Sequence, residues 1–318
     1  MIFLSIIIPH YNSENSLIKL IDTIPLKDEI EVIIVDDNSS TDISLLCQYV
    51  KEYKGNIRLI KNTTGNKGAG AARNCGLRVA QGEWLMFADS DDFFVAEWYE
   101  KIEKYFTSNY DMVYFAPTSM DLSTGKECSR HVMYKELVEQ MIAKPTRANE
   151  LNLKYCFCTP WSKLIRREVQ TKSDLWFDEI LASNDIMFIT KCAFASENIV
   201  ADDNVIYCVT RAGVSMTAEK NKAKFMTRVD VLKRRYLFLE ENLSKQEFKA
   251  FHMDMYALVK LVDFFLELWG VATFFEVLSI YRKNHIKIWD VGLFNPFTLI
   301  HKAKIELNWW SDIRKQRK

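Results

Sequence analysis

Residues 32–42 read VIIVDDNSSTD, and residues 82–92 read GEWLMFADSDD. Each holds an apolar run that ends on at least two aspartates. Such a run, with no polar alternation, predicts a strand buried on both faces, as in a parallel sheet covered by helices. The aspartates then stand where the chain leaves the strand. In an open parallel sheet that rim is where ligands bind.

Working outward, residues 3–8 form a similar run that ends in Pro9-His10-Tyr11-Asn12, and residues 57–60 and 112–115 complete five strands. Between them apolar residues recur at helical spacing: Leu17, Leu20, Ile21 and Ile24; Leu46, Tyr49, Val50 and Tyr53; Ala72, Cys75 and Val79; Trp98, Ile102 and Phe106. Ser13, Ser40 and Thr41 are candidate helix caps. This alternation predicts an α/β fold, doubly wound, with a mainly parallel sheet and helices on both faces. Residues 117–215 are mixed, with helix predicted over 134–143 and 186–195 and strand over 162–166 and 205–209. From 221 onward the pattern is helical, with Phe225, Val229, Leu232 and Tyr236 on one face. Two domains are expected: residues 1–218, and an all-helical C-terminal extension, 219–318.

Composition narrows the function. The chain has 318 residues, 48% hydrophobic and 26% charged, which excludes a disordered protein. Lys+Arg and Asp+Glu both number 42, so nothing marks a nucleic-acid partner. The seven cysteines are scattered, and the one close pair, Cys156 and Cys158, is neither a redox nor a zinc spacing. Reduced, mostly buried thiols in a cytoplasmic protein are expected. The N-terminus lacks the basic start of a signal peptide. The apolar stretch 261–280 carries Asp263, Glu267 and Glu276, which suits a buried helix and not a membrane span. No G-x-G-x-x-G follows the first strand, so a dinucleotide site is not expected.

The chemistry is expected at the rim, where Asp36, Asp37, Asp89, Asp91 and Asp92 would gather. Uncompensated, these carboxylates repel and raise one another's pKa. A divalent cation is the simplest neutraliser, and hard oxygen ligands suit Mg²⁺ or Mn²⁺. The competing reading makes both clusters ordinary helix caps.

The ordered set IIIPHYN, VIIVDDNSSTD, NKGAGAARNCGL and GEWLMFADSDD resembles the inverting glycosyltransferases of family 2, with their GT-A fold. The resemblance is strong over residues 3–115 and weaker through TPWSKLIRR (159–167) and SNDIMF (183–188). It leaves 220–318 outside. It implies transfer of a hexose or N-acetylhexosamine from a UDP-sugar to an oligosaccharide or lipid-linked glycan acceptor, in bacterial surface polysaccharide synthesis. By that resemblance Tyr11 lies along the base and Pro9 fixes the strand exit. Asp37, with Asp36, accepts from the uracil N–H, and Arg73 supports the base and that carboxylate. Gly68 and Gly70 allow close backbone approach, and Lys67 is a candidate phosphate contact. Asp89 holds the ribose and Asp91 the metal, while Asp92 either helps at the metal or caps the next helix, the cap being the preferred reading. Asp185 is the general base, with Asp174, Asp178 and Glu179 as rivals. The family often has Glu before this Asp; here it is Asn184. Trp161 and Lys163 are expected under the acceptor or sugar, with a core role for Trp161 as the alternative. Arg211 resembles a residue of a loop that closes over the diphosphate. Arg166 and Arg167 are read as a solvated turn.

Near the C-terminus, Lys302, Lys304, Arg314, Lys315, Arg317 and Lys318 flank Trp309 and Trp310, against only Glu306 and Asp312. A basic, Trp-bearing end suits peripheral contact with an anionic membrane, at the inner face of the cell membrane; a packed helix with a charged end is the other reading. Two rival functions remain: a sugar nucleotidyltransferase, which would need a Gly-, Arg- and Lys-bearing loop where this chain has PHYNSEN, and an inactive relative that keeps the nucleotide site.

Overall fold

The structure, a computed structural model, describes residues 1–180, 182–211, 221–251 and 270–287. The chain divides into two compact units, Met1–Gly213 and Val214–Lys318. The boundary expected at 218 falls outside the described residues.

The first unit is built on a seven-stranded sheet. Its strands, in spatial order, are β10 (Ile199–Asp202), β6 (Met112–Phe115), β9 (Lys163–Arg166), β4 (Trp84–Phe87), β1 (Leu4–His10), β2 (Ile30–Asp36) and β3 (Asn56–Lys61). All neighbours are parallel except β9, which runs antiparallel to both β4 and β6. This is the expected mainly parallel α/β sheet. The register pairs Ile7 with Ile33 and with Phe87, all three fully buried. Each buried apolar side chain of this kind contributes about 1.5–3 kcal/mol. The helices α1 (Glu14–Asp22), α2 (Ser44–Glu52) and α3 (Ala69–Val79) connect the first strands. A Cβ on Gly76 of α3 would sit 2.5 Å from Ile7 Cγ2, so α3 lies as close to the sheet as a glycine allows.

Helix α4 (Trp98–Ile102) follows β4, and β5 (Phe93–Phe94), β7 (Thr118–Asp121), β8 (Lys126–Glu127) and β11 (Tyr207–Arg211) form a second sheet in the order β5-β11-β7-β8. Helices α5 (Val132–Ala143), α6 (Arg147–Cys156), α7 (Arg167–Lys172) and α8 (Ile186–Ala195) complete the unit. All seven cysteines keep their thiols, as expected, but only Cys75, Cys192 and Cys208 are buried.

The described elements of the second unit are helices: α9 (Lys222–Asn242), α10 (Lys245–Ala250) and α11 (Gly270–Lys283). A capping box between Ser244 and Glu247 starts α10, and Tyr236 meets Phe248 edge-on at 5.1 Å. Among the described residues no helix is long and apolar enough to cross a membrane. The basic tail, residues 302–318, lies outside the described residues.

Candidate functional site

Because β1, β2 and β4 are parallel, the segments PHYN, DDNSS and DSDD leave the sheet at one rim. The antiparallel β9 begins at that rim, since Lys163 pairs with Tyr114 near the end of β6. Chain reversal thus delivers Trp161 and Lys163 to the region of the aspartates.

The predicted helix caps are used to build the rim instead. Asn12, at φ 51°, accepts at Oδ1 from the amides of Ser40 (2.8 Å) and Thr41 (3.2 Å), tying the end of β1 to the loop after β2. The Ser13 hydroxyl lies 3.0 Å from His10 Nδ1 and 2.7 Å from the Ser90 hydroxyl, linking β1 to the DSDD loop. None of Ser13, Ser40 and Thr41 caps a helix with its side chain.

Most of the acids are engaged within the fold. Asp36 is buried and accepts from the Ser39 hydroxyl at 2.6 Å, so it shapes its own turn. Asp37 is buried and accepts from Asn62 Nδ2 and from the Gly68 amide, each at 2.6 Å. It organises the glycine loop, where Gly68 holds φ at +112°, a conformation that L side chains rarely adopt. Asp92 was expected to cap a helix, and that expectation is corrected. It is buried, accepting from the Tyr207 hydroxyl (2.9 Å) and the Thr210 amide (2.7 Å), so it fastens β11 to the DSDD loop. Burial first, then Asp89 and Asp91, push its pKa well up.

Arg73 is also corrected. Its buried guanidinium reaches Asp89 Oδ1 at 2.5 Å and Asn184 Oδ1 at 2.9 Å, not Asp37. It stands over the Phe177 ring at 5.3 Å. Arg73 therefore joins the first aspartate of the DSDD element to the residue beside Asp185. Gly70 permits a close approach, but to protein: its Cβ would meet the Asp178 carbonyl at 2.2 Å and Asn184 Cβ at 2.9 Å. The segment around Asp185 thus packs directly onto α3.

Asp91 and Asp185 differ from the other acids. Among the described residues neither carboxylate accepts a hydrogen bond from another residue. Asp91 reaches solvent as a residue, yet desolvation of its carboxyl, and then Asp89, raise its pKa. Asp185 begins α8 without capping it. Burial raises its pKa and Asp89 adds to that, while Arg73 and Lys163 oppose it. Two of its three rivals are otherwise engaged: Glu179 is gripped by Asn66 (2.6 Å) and Asn74 (2.9 Å), and Asp174 accepts from the Trp176 indole at 2.7 Å.

Other expected residues fall into place unevenly. Pro9 is buried at the strand exit and Tyr11 is 49% exposed beyond it, open to a ligand face. Lys67 is exposed on the glycine loop. Trp161 is only 6% exposed and stacks on Tyr207 at 5.9 Å, so it is a wall of the core and not an open sugar platform. Lys163 is fully buried, its ammonium 2.8 Å from the Thr159 carbonyl and 3.2 Å above the Phe157 ring; burial holds its pKa well below the usual lysine value. Arg211 pairs with Asp121 across β11 and β7 at 2.5 Å. The rest of its expected loop, from 212, lies outside the described residues. Arg166 and Arg167 do not form a solvated turn: both are half-buried and bond to backbone carbonyls, Arg166 at Tyr110 and Arg167 at Gly82. Sequence reasoning missed Asn62, Tyr207 and Thr210, for which no spacing gives a signal.

Residues 5–172 match the family model described as Glycosyl transferase family 2. The poly(ribitol-phosphate) beta-N-acetylglucosaminyltransferase TarS of Staphylococcus aureus is 27% identical over 69% of this chain and 37% of its own length. The chain thus spans little more than a third of that relative. A crystal structure of TarS residues 1–349 with UDP-GlcNAc superposes with a TM-score of 0.62 at 21% identity, over 79% of this chain and 70% of that one. The cholesterol galactosyltransferase of Borreliella burgdorferi is 27% identical over 90% of this chain and 82% of its own. A mannosyltransferase from Pyrobaculum calidifontis, solved with GDP-Man and Mn²⁺, has a TM-score of 0.55 at 15% identity, over 98% and 82% of the two chains.

Proposed function

The chain belongs to glycosyl transferase family 2, and on that premise we propose that it is an inverting enzyme that moves a hexose or N-acetylhexosamine from a UDP-sugar to an acceptor hydroxyl. One observation carries the reading: Asp91 and Asp185 are the two rim acids whose carboxylates the described fold leaves uncommitted, and both favour the neutral form more than an ordinary aspartate does. A metal ligand works deprotonated, and a cation at Asp91 would relieve the repulsion from Asp89; at Asp185 a raised pKa suits a general base.

In this reading Tyr11 and Asp37 receive the base, Asp37 through the lone pairs that Asn62 and Gly68 leave open, and Asp89 receives the ribose. Among the described residues no three Asp, Glu, His or Cys side chains gather to hold a metal. Asp91, with Asp89 beside it, would supply hard oxygens to Mn²⁺ or Mg²⁺, which often complete their shell with phosphate oxygens and water. Such an ion offsets charge on the departing diphosphate. Asp185 takes the proton from the acceptor hydroxyl as that oxygen attacks the anomeric carbon. Arg73 keeps it in register with the donor.

The relatives support a UDP-linked donor, since TarS was solved with UDP-GlcNAc. They also support a surface polymer or a lipid as acceptor, since their names specify poly(ribitol phosphate) and cholesterol. The reading sets the enzyme in the cytoplasm, with the basic tail reaching the inner face of the membrane. Sedimentation with anionic vesicles, lost on truncation at 301, tests the tail. The main test is a panel of nucleotide sugars with Mn²⁺, read by melting temperature and UDP release. Asp91→Asn and Asp185→Asn should both abolish turnover, and only the first should weaken UDP binding. Turnover by either variant near the wild-type rate refutes its assignment.

A further inference from the structure

We propose that Arg130 is a phosphate-binding residue of this site, taking a phosphate oxygen of the donor diphosphate or of a phosphodiester acceptor. This deepens the glycosyl-transfer reading and rests on it. Arg130 donates to the Thr210 carbonyl. The same Thr210 donates from its amide to Asp92 at 2.7 Å and from its hydroxyl to the Asp91 carbonyl at 2.6 Å. Arg130 is thereby one residue removed from both acids, and its charge acts on both.

The segment that carries it is pinned. The Ser119 hydroxyl donates to the Cys128 carbonyl at 2.7 Å, and the buried His131 imidazole lies 2.7 Å from the same hydroxyl. An arginine on a pinned loop loses less freedom on binding. The neighbouring arginines are already matched to carboxylates, Arg73 to Asp89 and Arg211 to Asp121. Arg130 is exposed, and among the described residues it forms no ion pair. A guanidinium has five N–H donors in a planar fork that fits phosphate. One is spent on Thr210, and the position beside Asp91 is where the proposed reaction holds its diphosphate.

The test uses the full chain with Arg130→Gln and Arg130→Lys. Calorimetry in Mg²⁺ measures UDP and uridine, then poly(ribitol phosphate) on the UDP-saturated protein. Arg130→Gln should weaken one phosphate ligand by about tenfold or more, while uridine stays within about twofold; Arg130→Lys should recover part of the loss. A loss on UDP assigns the donor diphosphate, and a loss on the polymer alone assigns the acceptor. Unchanged uridine binding shows that the variant is folded. Unaltered affinity for both phosphate ligands overturns the proposal. A wild-type protein that binds uridine no better than a control protein, and does not bind UDP, defeats the underlying reading as well.

Discussion

Replacing Gly70 with alanine tests how the proposed base is held. The added Cβ would lie 2.2 Å from the Asp178 carbonyl oxygen and 2.9 Å from Asn184 Cβ. Neither atom is the tip of a flexible side chain. Ordinary contact begins at 3.4 Å, so the segment around 178–184 must retreat from α3 by about 1 Å. Asn184 then leaves Arg73, to which it now bonds at 2.9 Å, and Asp185 moves with it. Overpacking of this kind costs about 1–3 kcal/mol in stability. A displacement of about 1 Å at a reacting group costs about 100-fold in rate. The assay is UDP release at saturating donor, beside UDP affinity and melting temperature. The Asp37–Gly68–Asn62 loop is untouched, so UDP affinity should stay within about threefold. Gly76→Ala is the control. Its Cβ meets the Ile7 side chain at 2.5 Å in the core, so it should lower the melting temperature and leave the rate of the folded enzyme intact. A Gly70→Ala enzyme that turns over within about threefold of wild type would show that contact with α3 does not position the base.

Arg73→Lys removes the planar fork that spans Asp89 and Asn184, so transfer should fall by about 100-fold with a small loss of stability; full activity in steady-state assays would refute the bridging role. As the proposed base Asp185 would work deprotonated, and its raised pKa would then place the acid limb of the rate above the usual aspartate range. The same shift stabilises the fold below the unfolded pKa and is lost as pH rises through the folded one. Asp185→Asn should therefore be inactive yet melt higher than wild type at neutral pH, with the gap closing in acid; a lower melting point at pH 7 contradicts this. Exhaustive chelation with EDTA should stop turnover and Mn²⁺ or Mg²⁺ restore it, whereas activity that survives chelation removes the metal from the mechanism.

The central strands were legible because their signal is local. Residues such as Ile6, Ile7, Ile33, Ile34, Leu85 and Phe87 are buried on both faces, and a two-sided burial leaves an unbroken apolar run. Helix α8 was equally plain, its bounds matching the expected 186–195. The second sheet was not, because β5 and β8 are two residues each and gain their identity only from β11 and β7. Spacing finds the rim aspartates as a group, and only the resemblance gives them separate roles. Their roles depend on Asn62, Tyr207, Thr210 and Arg73, whose contacts reach across as many as 119 positions. A carboxylate that organises a loop and one left for a ligand look alike in sequence. Asp92 shows the consequence, since Asp next to a helix reads as a cap until Tyr207 and Thr210 are seen to hold it.

Arg73 is buried between one carboxylate, Asp89, and one neutral amide, Asn184. Its positive charge is thus balanced by Asp89 alone, and it lowers the Asp185 pKa more than Asp89 raises it, opposing burial, which is the larger effect. A carboxylate at 184 would saturate Arg73 and place a like charge beside the base; both effects favour neutral Asp185. Asn184→Asp should thus move the acid limb of kcat upward, by about one pH unit if the added charge acts at the strength usual for a neighbouring carboxylate. UDP affinity should change little, because the amide touches Arg73 and not the base-binding loop. The measurement is a pH–rate profile of both enzymes with the same donor and acceptor. A limb that stays in place, in a variant that folds and binds UDP, would mean that Arg73 does not transmit charge to the base.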